Sequence, residues 1–249
     1  MKKLLKIILT VLICAGSISA QPGITNLNVE DGLSNNYVKD IVQDGQGFIW
    51  IATETGLNRF DGRNFTTYTS ANSGLTDDAI NTLLFDPEDN LLWIGTKTVL
   101  SVLDCSTLHF DHYPSNDSIV LSNIVHLSLA TDGGMWIANH HYGVVHYNKK
   151  TKQFTPYDGK NFPGLKNANW CAYDDGKGSL YVGHAQQGLS IVNLAEKAVR
   201  HFRHEPGNPR SLPGNSVYSI CIDHMENIWI GTNQGLALFN PQKEDFRVF

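Results

Sequence analysis

Cysteine is scarce in this chain. Four occur in 249 residues, Cys14, Cys105, Cys171 and Cys221, scattered and without CxxC spacing. No thiolate metal centre is signalled, and the three beyond residue 20 allow at most one disulfide. A GxSxG elbow, an HExxH helix and a P-loop are all absent, so the usual sequence marks of hydrolase, metallopeptidase and nucleotide chemistry are missing. No cofactor is expected. Beyond residue 20 no apolar run approaches the roughly 20 residues of a bilayer span. Long 3.6-residue amphipathic patterns are missing too, which argues against a helical solenoid. Positive charge is not in excess: 19 Lys and Arg face 24 Asp and Glu, a net charge of −5. Nucleic acid is therefore not an expected partner.

What is present begins with a leader. Lys2, Lys3 and Lys6 precede an apolar run from Ile7 to Ile13, and small residues follow to Ala20. This pattern predicts a secretory signal peptide over 1–20, with the mature chain starting near Gln21 and exported across the inner membrane to the periplasm. Ile13 is too large for the residue before a lipidated Cys14. Loss of the three leader lysines leaves 16 basic against 24 acidic side chains, a net charge of −8.

A repeat organises residues 21–249. Five segments align, near 32–68, 74–113, 121–157, 168–202 and 212–249. Each is anchored by an aromatic followed by an aliphatic: Trp50-Ile51, Trp93-Ile94, Trp136-Ile137, Tyr181-Val182 and Trp229-Ile230. The anchors are spaced by 43, 43, 45 and 48 residues. Several short β-rich runs within a period in the forties predict an all-β chain: a β-propeller of four-stranded antiparallel blades, five of them present. In the first copy, strands are expected over Val38–Gln43, Phe48–Thr53, Leu57–Phe60 and Phe65–Tyr68. Asp44-Gly45 and Asp61-Gly62 suit the turns, because Gly tolerates positive φ and Asp bonds to nearby backbone. These turns resemble calcium loops only loosely, and no metal is assigned to them. The recurrent Trp reads as core, since each blade needs a large residue at a fixed place against its neighbour.

These residues resemble the two component regulator propeller repeat, whose pattern is roughly GL-S/P-x-N-x-V-x-x-I-x-x-D-x-x-G-x-I-W-I-G-T-x-x-G-L. The first copy matches through Gly32-Leu33-Ser34-Asn35, Val38, Ile41, Asp44, Gly47, Trp50-Ile51 and Gly56-Leu57. The fifth matches through Asn215, Val217, Ile220, Asp223, Trp229-Ile230-Gly231-Thr232 and Gly235-Leu236. The second copy departs at Val99 and the fourth at Tyr181. The resemblance implies the extracytoplasmic, ligand-sensing part of a Bacteroidetes-type hybrid sensor histidine kinase responding to oligosaccharides. It also implies partners in the same parent: further blades, usually to seven per ring, a membrane helix and a kinase region. A freestanding secreted binding module and a carbohydrate-active propeller enzyme, glycosidase or lyase, are the alternatives. An open ring can be closed by further blades or by a second copy in a homodimer.

In such a blade, the loops between strands two and three share a face with the loops entering strand one, and loops on a rigid scaffold carry function. The first set offers Glu54 and Thr55, Lys97 and Thr98, His140 to Tyr142, His184 to Gln187, and Asn233 and Gln234. The second offers Asn35, Asn36, Asp77, Asp78, Asn123, Asn169, Trp170 and Asn215. From these, an oligosaccharide-like ligand is assigned to His140, His141, Tyr142, Trp170, His184, Gln186, Glu54, Lys97 and Asn233. The run Asn139-His140-His141-Tyr142 is the most unusual, with one residue inserted where other copies read Thr-x-x-Gly. Aromatic faces and neutral hydrogen-bonding groups suit a pyranose, which presents both C–H faces and hydroxyls. For a glycosidase, Glu54 with Asp77 or Asp78 is the candidate pair, to be spaced roughly 5–9.5 Å apart.

Overall fold

The structure, a computed structural model, describes residues 25–249; the expected signal peptide lies outside the described residues. Twenty strands are found there. Blade one holds β1 (Val38–Gln43), β2 (Ile49–Thr53), β3 (Gly56–Phe60) and β4 (Phe65–Tyr68). Blade two holds β5 (Ile80–Asp86), β6 (Leu91–Thr96), β7 (Leu100–Asp104) and β8 (Phe110–Tyr113). Blade three holds β9 (Ile124–Leu129), β10 (Met135–Asn139), β11 (Gly143–Asn148) and β12 (Gln153–Tyr157). Blade four holds β13 (Asn169–Asp174), β14 (Ser179–His184), β15 (Leu189–Asn193) and β16 (Ala198–Phe202). Blade five holds β17 (Val217–Ile222), β18 (Ile228–Thr232), β19 (Gly235–Asn240) and β20 (Asp245–Val248). Each blade is an antiparallel meander in chain order. The first strands, β1, β5, β9, β13 and β17, contact one another in succession and form the inner wall. The all-β propeller expected from the repeat is what the chain adopts.

Within a blade, the repeat's Asp has a definite task. Asp44 Oδ1 accepts the backbone N–H groups of Gln46 and Phe48, closing the β1–β2 turn, while Oδ2 accepts the Trp50 indole N–H at 2.8 Å. Asp223 repeats this in blade five with Met225, Asn227 and the Trp229 indole at 2.9 Å. The Trp229 bond, with those from Asn227, holds the Asp223 carboxyl below the ordinary carboxylate range. In blade three the equivalent residue is Ala130, and the Trp136 indole donates instead to Asp174 of blade four, at 2.5 Å. These turn carboxylates are engaged by N–H donors, which satisfies the backbone of a tight turn and fixes the Trp ring.

Four apolar clusters fill the four seams between successive blades. Burying one Trp removes roughly 150–250 Å² from water, worth about 25 cal/mol per Å² as an upper estimate. The seam geometry also has a small-residue socket. At the end of each second strand sits Ala or Gly: Ala52, Gly95, Ala138, Gly183 or Gly231. After blades two and four, the first residue of the next blade's inner strand lies against it. A Cβ on Gly95 would meet Ile124 Cγ2 at 2.6 Å, and one on Gly183 would meet Val217 Cγ1 at 2.7 Å and Val217 O at 2.9 Å.

The two outer flanks have the same chemistry without a neighbouring blade among the described residues. On blade one, Val38 is 40% and Ile41 57% exposed, whereas their counterparts Ile80 and Leu83 are buried. On blade five, Trp229 is only half-buried, packing on Phe249 with ring centroids 5.5 Å apart, and Leu236 is 42% exposed. The core reading of the repeated Trp thus holds fully for Trp50, Trp93 and Trp136 and partly for Trp229.

These sockets predict unequal costs for one added methyl. Gly183→Ala pushes against the Val217 backbone and should cost roughly 1–3 kcal/mol, lowering Tm by several degrees. Gly231→Ala meets only the rotatable Ser219 hydroxyl and should shift Tm much less. Thermal unfolding followed by circular dichroism checks the ranking; equal losses would remove the socket argument.

Candidate functional site

Backbone bonds draw the two expected loop sets together on one face. The N–H groups of Lys97, His140, Ala185 and Asn233, each just past a second strand, donate to the carbonyls of Ala79, Asn123, Ala168 and Ser216 at the entrance of the first strand of the same blade. Asn123 N–H then reaches Lys97 O of the preceding blade. Counted up to the repeat's Gly position (Gly56, Val99, Gly143, Gly188 and Gly235), the loops of blades three and four carry three residues, 140–142 and 185–187, against two in the other blades. The blade-three loop borders the seam between blades three and four, and the blade-four loop, through Gln186 and Gly188, borders the seam between blades four and five.

Every inner strand has a register shift just inside its first residue, leaving an extra residue at Lys39, Asn81, Val125, Trp170 or Tyr218. A bulge re-aims the side chain it carries. In blades four and five that side chain is aromatic, and the consequence is a row of rings. Tyr142 and His141 lie 6.4 Å apart between centroids, His141 and His140 4.5 Å, His140 and Trp170 4.5 Å, and Trp170 and Tyr218 6.0 Å. The row runs from blade three to blade five. Its two end tyrosines are 56% and 54% exposed.

Of the residues assigned from sequence, the structure brings together His140, His141, Tyr142 and Trp170. Tyr218 completes the row and was missed; the signal was an aromatic at the bulge position, two residues before Ile220, visible once the copies are aligned on that strand. The remaining assignments lie apart from the row. Glu54 pairs with Lys39 at 3.1 Å on blade one. Lys97 is exposed on blade two. Gln186 N–H bonds to Ser216 Oγ and so braces the seam between blades four and five, while Asn233 Oδ1 accepts Ser216 N–H within blade five. Asp77 accepts from Thr98 at 2.6 Å and Asp78 from Ser70, so each carboxylate serves its own loop. The asparagines of the entering loops are capping residues: Asn35 accepts from Tyr37 N–H, Asn36 from Val29 N–H and Asn215 from His204 N–H.

His184 is fully buried within blade four and does not reach the surface. It stands where other copies have Thr53, Thr96 and Thr232. Its Nε2 is 2.5 Å from Ser190 Oγ, which is 2.9 Å from His201 Nδ1, and His201 Nε2 is 2.7 Å from Gly164 O. Because a carbonyl only accepts, His201 Nε2 donates to Gly164, Ser190 donates to Nδ1, and His184 Nε2 donates to Ser190. Blade two repeats the outer part of this chain with Ser101, His112 and Gly74 O. Burial, with the nearby His201 and Lys166, pushes the His184 pKa down to about 3. Burial alone pushes His126, whose Nε2 meets the Tyr173 hydroxyl at 3.1 Å, down to about 4.

Residues 32–55 and 211–234 match the family described as two component regulator propeller. The chain carries two component regulator propeller repeats. The propeller is similar to the extracellular domain of a hybrid two component system from B. thetaiotaomicron, with a TM-score of 0.81 and 38% identity, over 89% of this chain and 31% of that one. A second such domain from the same organism has a TM-score of 0.70 at 24% identity, over 81% of this chain and 27% of that one, a likeness of fold alone. Among curated proteins, histidine kinase P4 of Formosa agariphila is 53% identical over 38 residues, 15% of this chain and 3% of that protein. The propeller therefore spans about a third of the first solved relative. No helix among the described residues is long and apolar enough to cross a membrane.

The buried histidines give the propeller a defined acid response. Both folded-state pKa values lie below the unfolded value near 6.5, so their contribution is complete above pH 6.5 and is lost as pH falls toward 4 and 3. The unfolding free energy should drop by roughly 1.4 kcal/mol per pH unit for each histidine across that window. His184→Thr, the residue of the other copies, should fold and flatten the slope by one proton. Urea unfolding between pH 7 and 4.5 measures this; an unchanged slope in His184→Thr would contradict the buried, neutral assignment.

Proposed function

We propose that this propeller is a ligand-binding sensor segment of a hybrid two component histidine kinase, exported to the periplasm, and that it binds an oligosaccharide-like ligand on its loop face. The observation that carries the ligand reading is the row from Tyr142 to Tyr218. Exposed aromatic rings beside imidazoles offer stacking faces for sugar C–H surfaces and hydrogen-bonding groups for hydroxyls. The sensor reading is supported by the repeats themselves and by the 38% identity to an extracellular hybrid-system domain. In this reading the chain recognises its ligand and the chemistry of signalling belongs to the parent protein. The exposed flanks of blades one and five, with Val38, Ile41, Trp229 and Leu236, then pack against further blades of that parent; a second copy is the other possible occupant.

Binding is checked by thermal shift and calorimetry of the mature chain over an oligosaccharide panel. A ligand at 100 times its Kd should stabilise the fold by about 2.7 kcal/mol. Tyr142→Ala and Trp170→Ala should each weaken binding about tenfold, equivalent to 1.4 kcal/mol. Tyr142→Ala should leave the unliganded Tm unchanged, because its side chain is largely in water. Undiminished affinity in both variants would remove the site from this face, and no binding across the panel would sink the ligand class.

A further inference from the structure

The proposed site has a length as well as a chemistry. Five rings follow one another across three blades, and their centroid spacings of 6.4, 4.5, 4.5 and 6.0 Å lay out a path several rings long. One pyranose covers one aromatic face. The tyrosines at the two ends of the row are exposed, and neither is loosely held. Tyr142 lies in a three-residue loop closed by the Asn139–Gly143 pair and by the bond from His140 N–H to Asn123 O. Tyr218 rides on the β17 bulge, one residue after the fully buried Val217 and two after Ser216, which is bonded to Asn233 twice: Asn233 N–H to Ser216 O and Ser216 N–H to Asn233 Oδ1. Both ends of the row are thus anchored to the blades that carry them.

Resting on the binding function proposed above, we infer that the row is a set of subsites for an extended chain of at least three sugar rings. One ring lies on Tyr142, one at Trp170 and one on Tyr218, so that the ligand crosses the seams between blades three and four and between blades four and five. Tyr218 is the specificity-determining residue for length. A mono- or disaccharide engages one end only. A chain that reaches both ends gains the second contact without a second loss of translational freedom, so affinity rises steeply with length and then levels off once both ends are covered.

The test uses the mature chain against an immobilised array of linear oligosaccharides graded from monosaccharides to long chains, with hits titrated by calorimetry. In any series that binds, affinity should rise about tenfold or more between the disaccharide and the members long enough to reach both ends. Tyr218→Ala and Tyr142→Ala should each remove about tenfold for the long members and at most about twofold for the disaccharide, which still has the other end, whereas Tyr218→Phe, which keeps the ring face, should retain the length dependence. Unliganded Tm values equal to wild type confirm that both alanine variants are folded. Short members binding as tightly as long ones, or long members unaffected by Tyr218→Ala, would overturn the length inference and leave the binding function standing. Wild-type protein that binds no member of any length would overturn both.

Discussion

The contact on which the rest depends is the one at the seams after blades two and four, where the first inner-strand residue of one blade lies against Gly of the blade before. Ile124 against Gly95 and Val217 against Gly183 bring an inner strand so close to the second strand of the blade before that, with Thr82 and Cys171 on the other side, a single added carbon has no room. That approach sets blade spacing, and blade spacing in turn decides which side chains can meet across a seam. Ser128 Oγ reaches Ala172 O at 2.7 Å and Asn81 Nδ2 reaches Ile124 O at 2.9 Å only because the inner strands are this near. The larger aromatic contacts farther out, Trp93 with Tyr147 and Tyr113 with Phe154, fill the space that the socket defines. Packing at native density makes such a seam intolerant of both larger and smaller residues.

Electrostatic links vary from seam to seam where packing does not. Between blades two and three, Lys149 is ringed by Asp86 at 2.7 Å, Asp89 at 2.8 Å and Glu88 at 3.0 Å. Its partial burial opposes the charge, and the three carboxylates outweigh that opposition and raise its pKa. Between blades three and four the indole of Trp136 takes Asp174 in place of the turn carboxylate its own blade lacks. Between blades one and two, Asp40 accepts from Thr82 Oγ1 and Leu83 N–H. Each seam thus has its own polar latch over a common apolar socket, which gives a repeated fold a unique order of blades.

The fold was legible because its determinants are local and repeated. An aromatic-aliphatic pair every forty-odd residues, with Asp-Gly turns between, leaves little besides a propeller blade. The binding face was legible in part, through departures from the repeat: the aromatic run at 140–142 and the Trp at 170 stand out because other copies lack them. Departure alone misleads at His184, which differs from Thr at a position whose side chain points into the blade, so the change is absorbed by a hydrogen-bond chain through Ser190 and His201. Tyr218 was hidden for the opposite reason. An aromatic one residue after a Val looks like ordinary strand alternation, and only the extra residue of the bulge turns it out of the blade. Bulges arise from strand pairing, and pairing is not written in one strand's residues.

The bulge residue and the socket residue are adjacent in sequence: Asn169 with Trp170, Val217 with Tyr218. The side chains that form the aromatic row are therefore attached to the positions that hold the blades together. At the seam between blades three and four the link is closer still, since Asn169 Nδ2 bonds to Asn139 O, the carbonyl immediately before His140, at 3.5 Å. There the buried atoms Asn139 Oδ1, Asn169 Oδ1 and His140 Nδ1 have no hydrogen-bond partner, a condition that costs about 1–3 kcal/mol for each such group. The seam under the row is thus less satisfied than its neighbours, and an element held at a cost is the one whose arrangement a ligand can change. His140, Trp170 and Tyr218 each lie next to a residue that packs or bonds across a seam or holds its strand's end: Asn139, Asn169 and Val217.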